Sequence, residues 1–423
     1  MVGHVQASMR VAGLVTVVLL SLLLFAGCGS STREDGEKSA DVSALASGAE
    51  SCPATVMKTL GSVLDRVYRE GVESERTASA RYMIEHSAAL RQAAEAGNAG
   101  AARKAIVELI ATGHMTNVTV LRGGRVLVAV GGPALAPLRG TLTNAAGQKV
   151  AGYVASVWTD NGFADEAAGV AEGIVALRQG DKSIGGTIQL PDEPISSEGT
   201  LTRAGTTFQY TSFPAEAYPG GAVTVYLLKR VELAEKACGR TSEDTMVNTL
   251  TQVAQLIYQG EIGSRTQIQV KRVQHNAAML KAVASKDPKA TEAAIKALLN
   301  HHIVRLRVSS TGGHLLSDVG GPYVLAPVTA PLTLHGHEIG SFVLSIQDDE
   351  GYLRLARRLA GLKVLMFMGS KLVKNSLGPK PGKTPIEGKF SYRGEDFRTF
   401  TLTVEAFPSG PLKIRVLVPI PYS

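Results

Sequence analysis

Two histidine pairs are the first residues in this chain whose spacing could do chemistry: His301-His302 and His335-x-His337. A His-x-His step can set two imidazoles on one face of a strand, enough to begin a metal site. No cysteine and no matched carboxylate spacing completes either pair, so exposed histidines are the expectation and no metal is called for. The sequence also holds no G-x-S-x-G, no H-E-x-x-H and no phosphate loop. Nothing in these residues points to an enzyme or to a cofactor.

Chemistry of any kind needs elements to position it, and this chain writes its elements twice. The stretch AEAYPGG at 215–221 returns as VEAFPSG at 404–410, which is 189 positions further on. At the same offset Glu198-Gly199 meets Glu387-Gly388, Gly205 meets Gly394, Phe208 meets Phe397, and VGGP at 130–133 meets VGGP at 319–322. Near the start of each copy, His86-Ser87-Ala88-Ala89 meets His275-Asn276-Ala277-Ala278. Landmarks kept in order at one offset mean an internal duplication, and the period is far too long for a solenoid unit. Each copy is long enough to bury its own core, so two homologous domains are expected, at 52–237 and 238–423. The repeated turn itself reads as punctuation between the last two strands of each copy. Proline fixes φ there and glycine tolerates φ > 0.

The first 27 residues belong to neither copy. An uncharged apolar run at 11–25 has the length of a signal peptide and is too short for a comfortable transmembrane helix. It ends in Ala26-Gly27-Cys28, which resembles the lipobox of bacterial lipoproteins. That resemblance implies diacylation of Cys28 and a lipid-anchored protein on the outer face of the cell membrane. Residues 28–51 are rich in Ser, Ala, Gly and charge and read as a flexible tether. With Cys28 lipidated, Cys52 and Cys238 remain as an even pair in an oxidising compartment, the expectation being a disulfide. Charge is uneven: Lys+Arg against Asp+Glu is 18 to 18 over 53–238 and 23 to 14 over 239–423. An exported protein meets no genome, so nucleic acid is set aside. Anionic headgroups, wall polymers or a small anionic ligand fit the basic second copy better.

Each copy opens with helical periodicity. In the first, Val56, Leu60, Leu64 and Val67 recur at 3–4 spacing; in the second, 246–258, 269–285 and 287–300 do the same, with Asp287 as N-cap and Pro288 at the first helical position. Hairpins follow around Gly123-Gly124 and Gly312-Gly313, then a looser segment, a strand, a helix at 348–361 in the second copy, and three closing extended runs. This order, together with lines such as FVLSIQDDEGY, resembles the Cache family of PAS-like sensor domains. The fold class implied is α+β: two tandem PAS/Cache-like domains, each with N-terminal helices followed by a mainly antiparallel sheet. The family's amine-binding signature is not found, so amino-acid sensing is not implied.

The resemblance also implies a pocket between the sheet's inner face and the loop after the first hairpin. On this sequence it would be lined by Arg305, Arg307, Tyr323, Ser345 and Gln347, with Asp348 and Asp349 just beyond. Alternation puts both arginines on one strand face and Val304 and Leu306 on the other. The first copy has no arginines on the corresponding strand, which makes the second copy the place for an anion. The expected function is a lipid-anchored extracytoplasmic sensor or small-molecule-binding protein acting through a membrane signalling or transport partner. The alternative is a non-enzymatic envelope interaction protein whose Cache-like domains hold no ligand.

Overall fold

The computed structural model describes residues 51–422 other than 114, 261, 300–302, 323 and 408–409. The apolar leader, Cys28, all of the tether but its last residue, His301, His302 and Tyr323 lie outside the described residues. The first half opens with α1 (Cys52–Glu73), α2 (Glu75–His86), α3 (Ala88–Ala96) and α4 (Ala99–Thr112). Strands β1 (Asn117–Arg122), β2 (Arg125–Gly131), β3 (Ala134–Leu135), β4 (Leu138–Thr143) and β5 (Lys149–Ser156) follow. Then α5 (Asp160–Ala171) leads into β6 (Ile174–Gln179), β7 (Lys182–Gly186), β8 (Glu198–Arg203), β9 (Thr206–Tyr218) and β10 (Gly221–Arg230), closed by the short α6 (Val231–Ala234).

The second half repeats the plan. It has α7 (Ser242–Gly260), α8 (Ser264–Gln274), α9 (Ala277–Ala284) and α10 (Pro288–Leu299). Next come β11 (Arg305–Ser310), β12 (Leu315–Gly320), β13 (Val324–Leu325), β14 (Val328–Leu334), β15 (His337–Ser345) and β16 (Gln347–Asp348). After α11 (Asp349–Ala360) the chain ends in β17 (Lys363–Met368), β18 (Lys371–Asn375), β19 (Gly388–Tyr392), β20 (Glu395–Val404), β21 (Ala406–Phe407) and β22 (Leu412–Ile420).

The fold is mixed α+β, with helices ahead of antiparallel sheets in each half. The strands of the first half divide into two sheets, β3 pairing with β9 in the second of them; the second half has two matching sheets and a small third one, β16-β13-β21. The first sheets run β2-β1-β5-β4 and β12-β11-β15-β14; the second run β7-β6-β10-β9-β8 and β18-β17-β22-β20-β19. Each of these four orders places its second strand outside its first and its last strand beside its first. The dividing helices, α5 and α11, begin and end 189 residues apart, so the duplication holds at the level of single residues.

Four helices join the halves. Helix α1 packs on α7, and both pack on α5 and on α11. The 3–4 periodicity explains why: Val56, Leu60, Val63, Leu64 and Val67 form one face of α1, and each is at most 2% exposed. That face meets Leu250, Val253 and Ala254 of α7, Phe163 and Ala167 of α5, and Tyr352 and Ala356 of α11 in one apolar cluster. Smaller cores lie under the first sheet of each half, around Ile106, Val118 and Leu142 in the first and around Ile295, Leu306 and Phe342 in the second. Residues 50–423 therefore form a single compact unit in which two copies share their largest core.

Two fastenings complete it. Cys52, at the start of α1, is joined by a disulfide to Cys238, with a Cα–Cα separation of 5.7 Å. The Tyr68 hydroxyl of α1 accepts a hydrogen bond from the Glu216 amide at 2.8 Å, and the Tyr258 hydroxyl of α7 donates to the Glu405 carbonyl at 2.9 Å. Glu216 and Glu405 are repeat equivalents, so each leading helix is tied to its own last sheet by a tyrosine. Among the described residues, no helix is long and apolar enough to cross a membrane.

Candidate functional site

Arg305 and Arg307 lie on one face of β11 while Leu306 and Val308 are buried in the core behind it, as alternation requires. Opposite them on β12, Asp318 takes both guanidinium groups. Arg305 Nε donates to Asp318 Oδ1 at 2.8 Å, and Arg307 donates to Oδ2 from Nε at 2.9 Å and from its terminal nitrogen at 2.7 Å. The Phe407 ring covers the same cluster, 5.2 Å from the Arg305 guanidinium and 4.3 Å from that of Arg307. Burial pushes the Asp318 carboxyl up, but the hydrogen bonds from the two arginines outweigh it and hold the carboxyl below its usual range. The half itself thus supplies a carboxylate and a ring to both arginines.

Ser345, Gln347, Asp348 and Asp349 sit together where β15 passes into α11. The buried Ser345 hydroxyl donates to the Leu325 and Gln347 carbonyls and accepts from the Gln347 amide at 3.1 Å. Ser156 makes the same three bonds to Leu135 and Trp158 in the first half, so this serine is a repeated joint. Asp348 caps α11 by accepting from the Gly351 amide at 2.6 Å, as Thr159 caps α5 through Gly162 at 2.9 Å. Burial raises the Asp349 carboxyl above its usual range, and it does the same to Asp160, its repeat equivalent. Gln347 departs from the pattern. It stands where the first half has Trp158 and is 7% exposed; its buried side-chain nitrogen, like the Trp158 indole nitrogen, has no hydrogen-bond partner among the described residues.

Gln347 is among the residues lining a groove of about 590 Å³ where the two halves meet. Arg76, from the first turn of α2, comes from the first half. The second half supplies Arg265, Ile268 and Gln269 on α8, Ile346 and Gln347 at the joint, and Gly351, Arg354, Leu355 and Arg358 on α11. Four arginines line it, and among the described residues no acidic one does. Arg76 and Arg265 are themselves 189 apart, each followed by a buried threonine, Thr77 and Thr266. Trp158 holds Arg76 in place, its ring 5.7 Å from the guanidinium. Burial lowers the Arg76 pKa, and the neighbouring charges of Arg265 and Arg358 lower it further. Two carboxylates reach the rim: Glu166 lies 3.5 Å from Arg265, and Glu70 accepts from Arg358 Nε at 2.6 Å. Arg354 makes no ion pair among the described residues.

Of the residues the sequence singled out, the groove takes Gln347 and leaves Arg305 and Arg307 at Asp318. Arg76, Arg265, Arg354 and Arg358 were not singled out. The repeated Arg-Thr step and the i,i+4 arginines of α11 are the traces they leave in the sequence. A larger groove, about 660 Å³, runs along α1, but there Lys58, Arg66, Arg69 and Arg358 alternate with Asp65, Glu70 and Glu73. Asp65 and Arg69 already pair at 2.7 Å, and the four cations there stand against three carboxylates, so that surface is of mixed sign. His335 and His337 are exposed at the β14–β15 turn, and the described residues include no group of three or more His, Cys, Asp or Glu able to hold a metal ion.

No family model matches the chain. No curated protein matches it either. Among solved structures, an extracellular ligand binding receptor from Desulfohalobium retbaense is similar at 11% identity with a TM-score of 0.25, over 53% of this chain and 47% of that one. The chain spans about half of that receptor's length, and a likeness at this score carries nothing about fold or function.

Proposed function

We propose that this protein is an exported binding protein for a small anion, held at the outer face of the membrane by a lipid on Cys28 and built from two Cache-like halves. It acts through a membrane signalling or transport partner, since no described helix could carry a signal across the bilayer. One observation supports the binding reading: four guanidinium groups, and among the described residues no carboxylate, line one groove where the halves meet. Guanidinium groups gathered in a partly desolvated groove repel one another, and an anion with bidentate oxygens relieves that repulsion. The Cys52–Cys238 disulfide and the apolar leader support a place outside the cytoplasm.

A second reading has an observation of its own. The interior behind β11 is filled by Leu306, Val308, Leu332, Phe342 and Leu344, each at most 1% exposed. A first sheet packed solid in this way suits an envelope interaction protein whose Cache-like folds hold nothing. A thermal-shift screen separates the two readings. At constant ionic strength, the binding reading expects the melting midpoint to rise with carboxylates or phosphates and not with cationic metabolites, because a ligand bound only by the native state stabilises it. A midpoint unmoved by every anion would leave the envelope reading standing.

A further inference from the structure

Residues 376–387 run as a strap over one face of the sheet β18-β17-β22-β20-β19, opposite the face that meets the shared core. Leu377 of the strap packs there with Leu365, Phe397 and Leu417. Three hydrogen bonds pin the strap. The Tyr392 hydroxyl donates to the Pro379 carbonyl at 2.7 Å, Arg415 donates to the Thr384 carbonyl, and the Thr401 hydroxyl donates to the Ile386 carbonyl at 2.8 Å. Thr384 is buried, whereas Lys380, Lys383 and Ile386 stand in solvent. At 65% exposure Ile386 is the most exposed large apolar side chain among the described residues. We infer that this strap docks on the surface of an anionic phospholipid bilayer, its lysines at the headgroups and Ile386 at the acyl boundary. The inference is independent of the groove and takes from the proposed function only the nearness of a membrane.

The repeat supplies the first ground. The first half carries the same strap at 187–197 on the same peg, the Ser212 hydroxyl donating to the Ser197 carbonyl at 2.9 Å. There a serine stands in place of Ile386, and the charge is reversed. Over 371–393, Lys371, Lys374, Lys380, Lys383, Lys389 and Arg393 meet Glu387 alone; over 182–204, Lys182 and Arg203 meet Asp192, Glu193 and Glu198. The carboxylates facing the second strap are Glu350, paired with Lys374 at 3.1 Å, and Glu395 and Asp396 of β20, and with Lys413 and Arg415 of β22 beside them the patch stays positive. One scaffold presents both surfaces, so the fold itself requires neither the lysines nor the isoleucine. The mixture is the second ground. A polyanion such as a wall polymer would take the lysines alone, whereas an exposed isoleucine gains only by leaving water. Lysines around a protruding aliphatic side chain suit a negatively charged bilayer.

The third ground is where the tether begins. Cys52 Sγ accepts from the Thr245 hydroxyl at 3.8 Å, and the neighbouring Glu243 and Asp244 pair with Arg398 of β20. Arg398 stands opposite Lys389 on β19, two residues past the strap. The segment leading back to Cys28 thus joins the protein at the β19 edge of this sheet. Residues 28–51 reach about 80 Å when extended, enough to lay the strap on a membrane.

Flotation of the unlipidated chain, from residue 29 on, with phospholipid vesicles tests this without the anchor. The chain is expected to float with phosphatidylglycerol vesicles and not with phosphatidylcholine vesicles. Lys380→Glu with Lys383→Glu is expected to weaken binding about tenfold or more, since each lysine at such a surface contributes roughly a factor of five. Lys281→Glu with Lys289→Glu makes the same charge change on α9 and α10, which cover the other sheet of this half, and is expected to leave binding nearly unchanged. Ile386→Ser is expected to weaken binding several-fold. Ile386→Trp is expected to shift emission to the blue on the vesicles, set against Trp158, the chain's single tryptophan. No flotation, equal losses in the two lysine pairs, undiminished binding by Ile386→Ser, or an unmoved emission would overturn the docking. None of these outcomes touches the anion groove, which the thermal-shift screen reads separately.

Discussion

Asp318 shows what one residue decides. Two guanidinium groups converge on its carboxylate, so removing it leaves both without their counter-charge in a half-buried setting. Asp318→Ala is expected to lower stability by about 2 kcal/mol, read as a fall in the urea midpoint, because hydrogen bonds to charged groups are worth that much. The sign of the pH dependence follows from the depressed carboxyl. Its stabilising contribution is complete above the usual value of 3.8 and is lost as pH falls through the lower folded value. Wild type and Asp318→Ala should therefore converge in stability below pH 3.8 and stay apart at neutral pH. Equal acid-induced losses in the two proteins would count against the bridge. The shared face of Arg305 and Arg307 was legible in the sequence, since it follows from a period of two. Their partner was not. The β11–β12 register shifts between Val308 and Ser309, and only that register sets Asp318 opposite Arg307.

Single elements were the most legible scale. Asp287 caps α10 as expected, accepting from the Ala290 amide at 3.1 Å, and the helix after β15 begins within a residue of its expected start. The continuous helical stretch at 269–285 divides at His275, because Asn276 accepts from the Met279 amide at 2.8 Å and starts a new helix. The split of each half into separate sheets was not legible, since strand partners are chosen across long gaps and local pattern does not name them. At this scale Gly71 of α1 gives a test with a definite sign. A Cβ there would meet the Trp158 ring at 2.5 Å and the Ala136 side chain at 2.7 Å. Gly→Ala within a helix ordinarily adds up to about 1 kcal/mol, whereas forcing a methyl into packed surroundings costs about 1–3 kcal/mol. Gly71→Ala is accordingly expected to lower the melting midpoint, and a rise would show that Trp158 moves aside freely. Since the Trp158 ring lies against Arg76 of the groove, the same variant should also weaken anion binding there.

For the whole molecule, duplication was legible and docking was not. A constant offset of 189 announces two copies, but the four-helix joint and the groove beside it exist only once the copies pack together. We propose that the halves 52–237 and 238–423 depend on each other for stability, because their largest core is built from both. Expressed apart, each is expected to melt well below the intact chain, and mixing is expected to raise the midpoint of both; two halves as stable as the whole would show independent domains. The Cys52–Cys238 bond closes a separation of 186 residues. On the chain-entropy model such a closure is worth about 5 kcal/mol at most, so reduction should lower the midpoint by several degrees. Alkylation without reductant should label neither cysteine.

The central claim is that an anion sits between the halves, and a crystal structure of the protein grown with glutarate tests it most directly. Ligand density is expected in the groove, with carboxylate oxygens against the guanidinium groups that line it. An empty groove at saturating glutarate, or glutarate found at Arg305 and Arg307 in place of Asp318, would contradict the account.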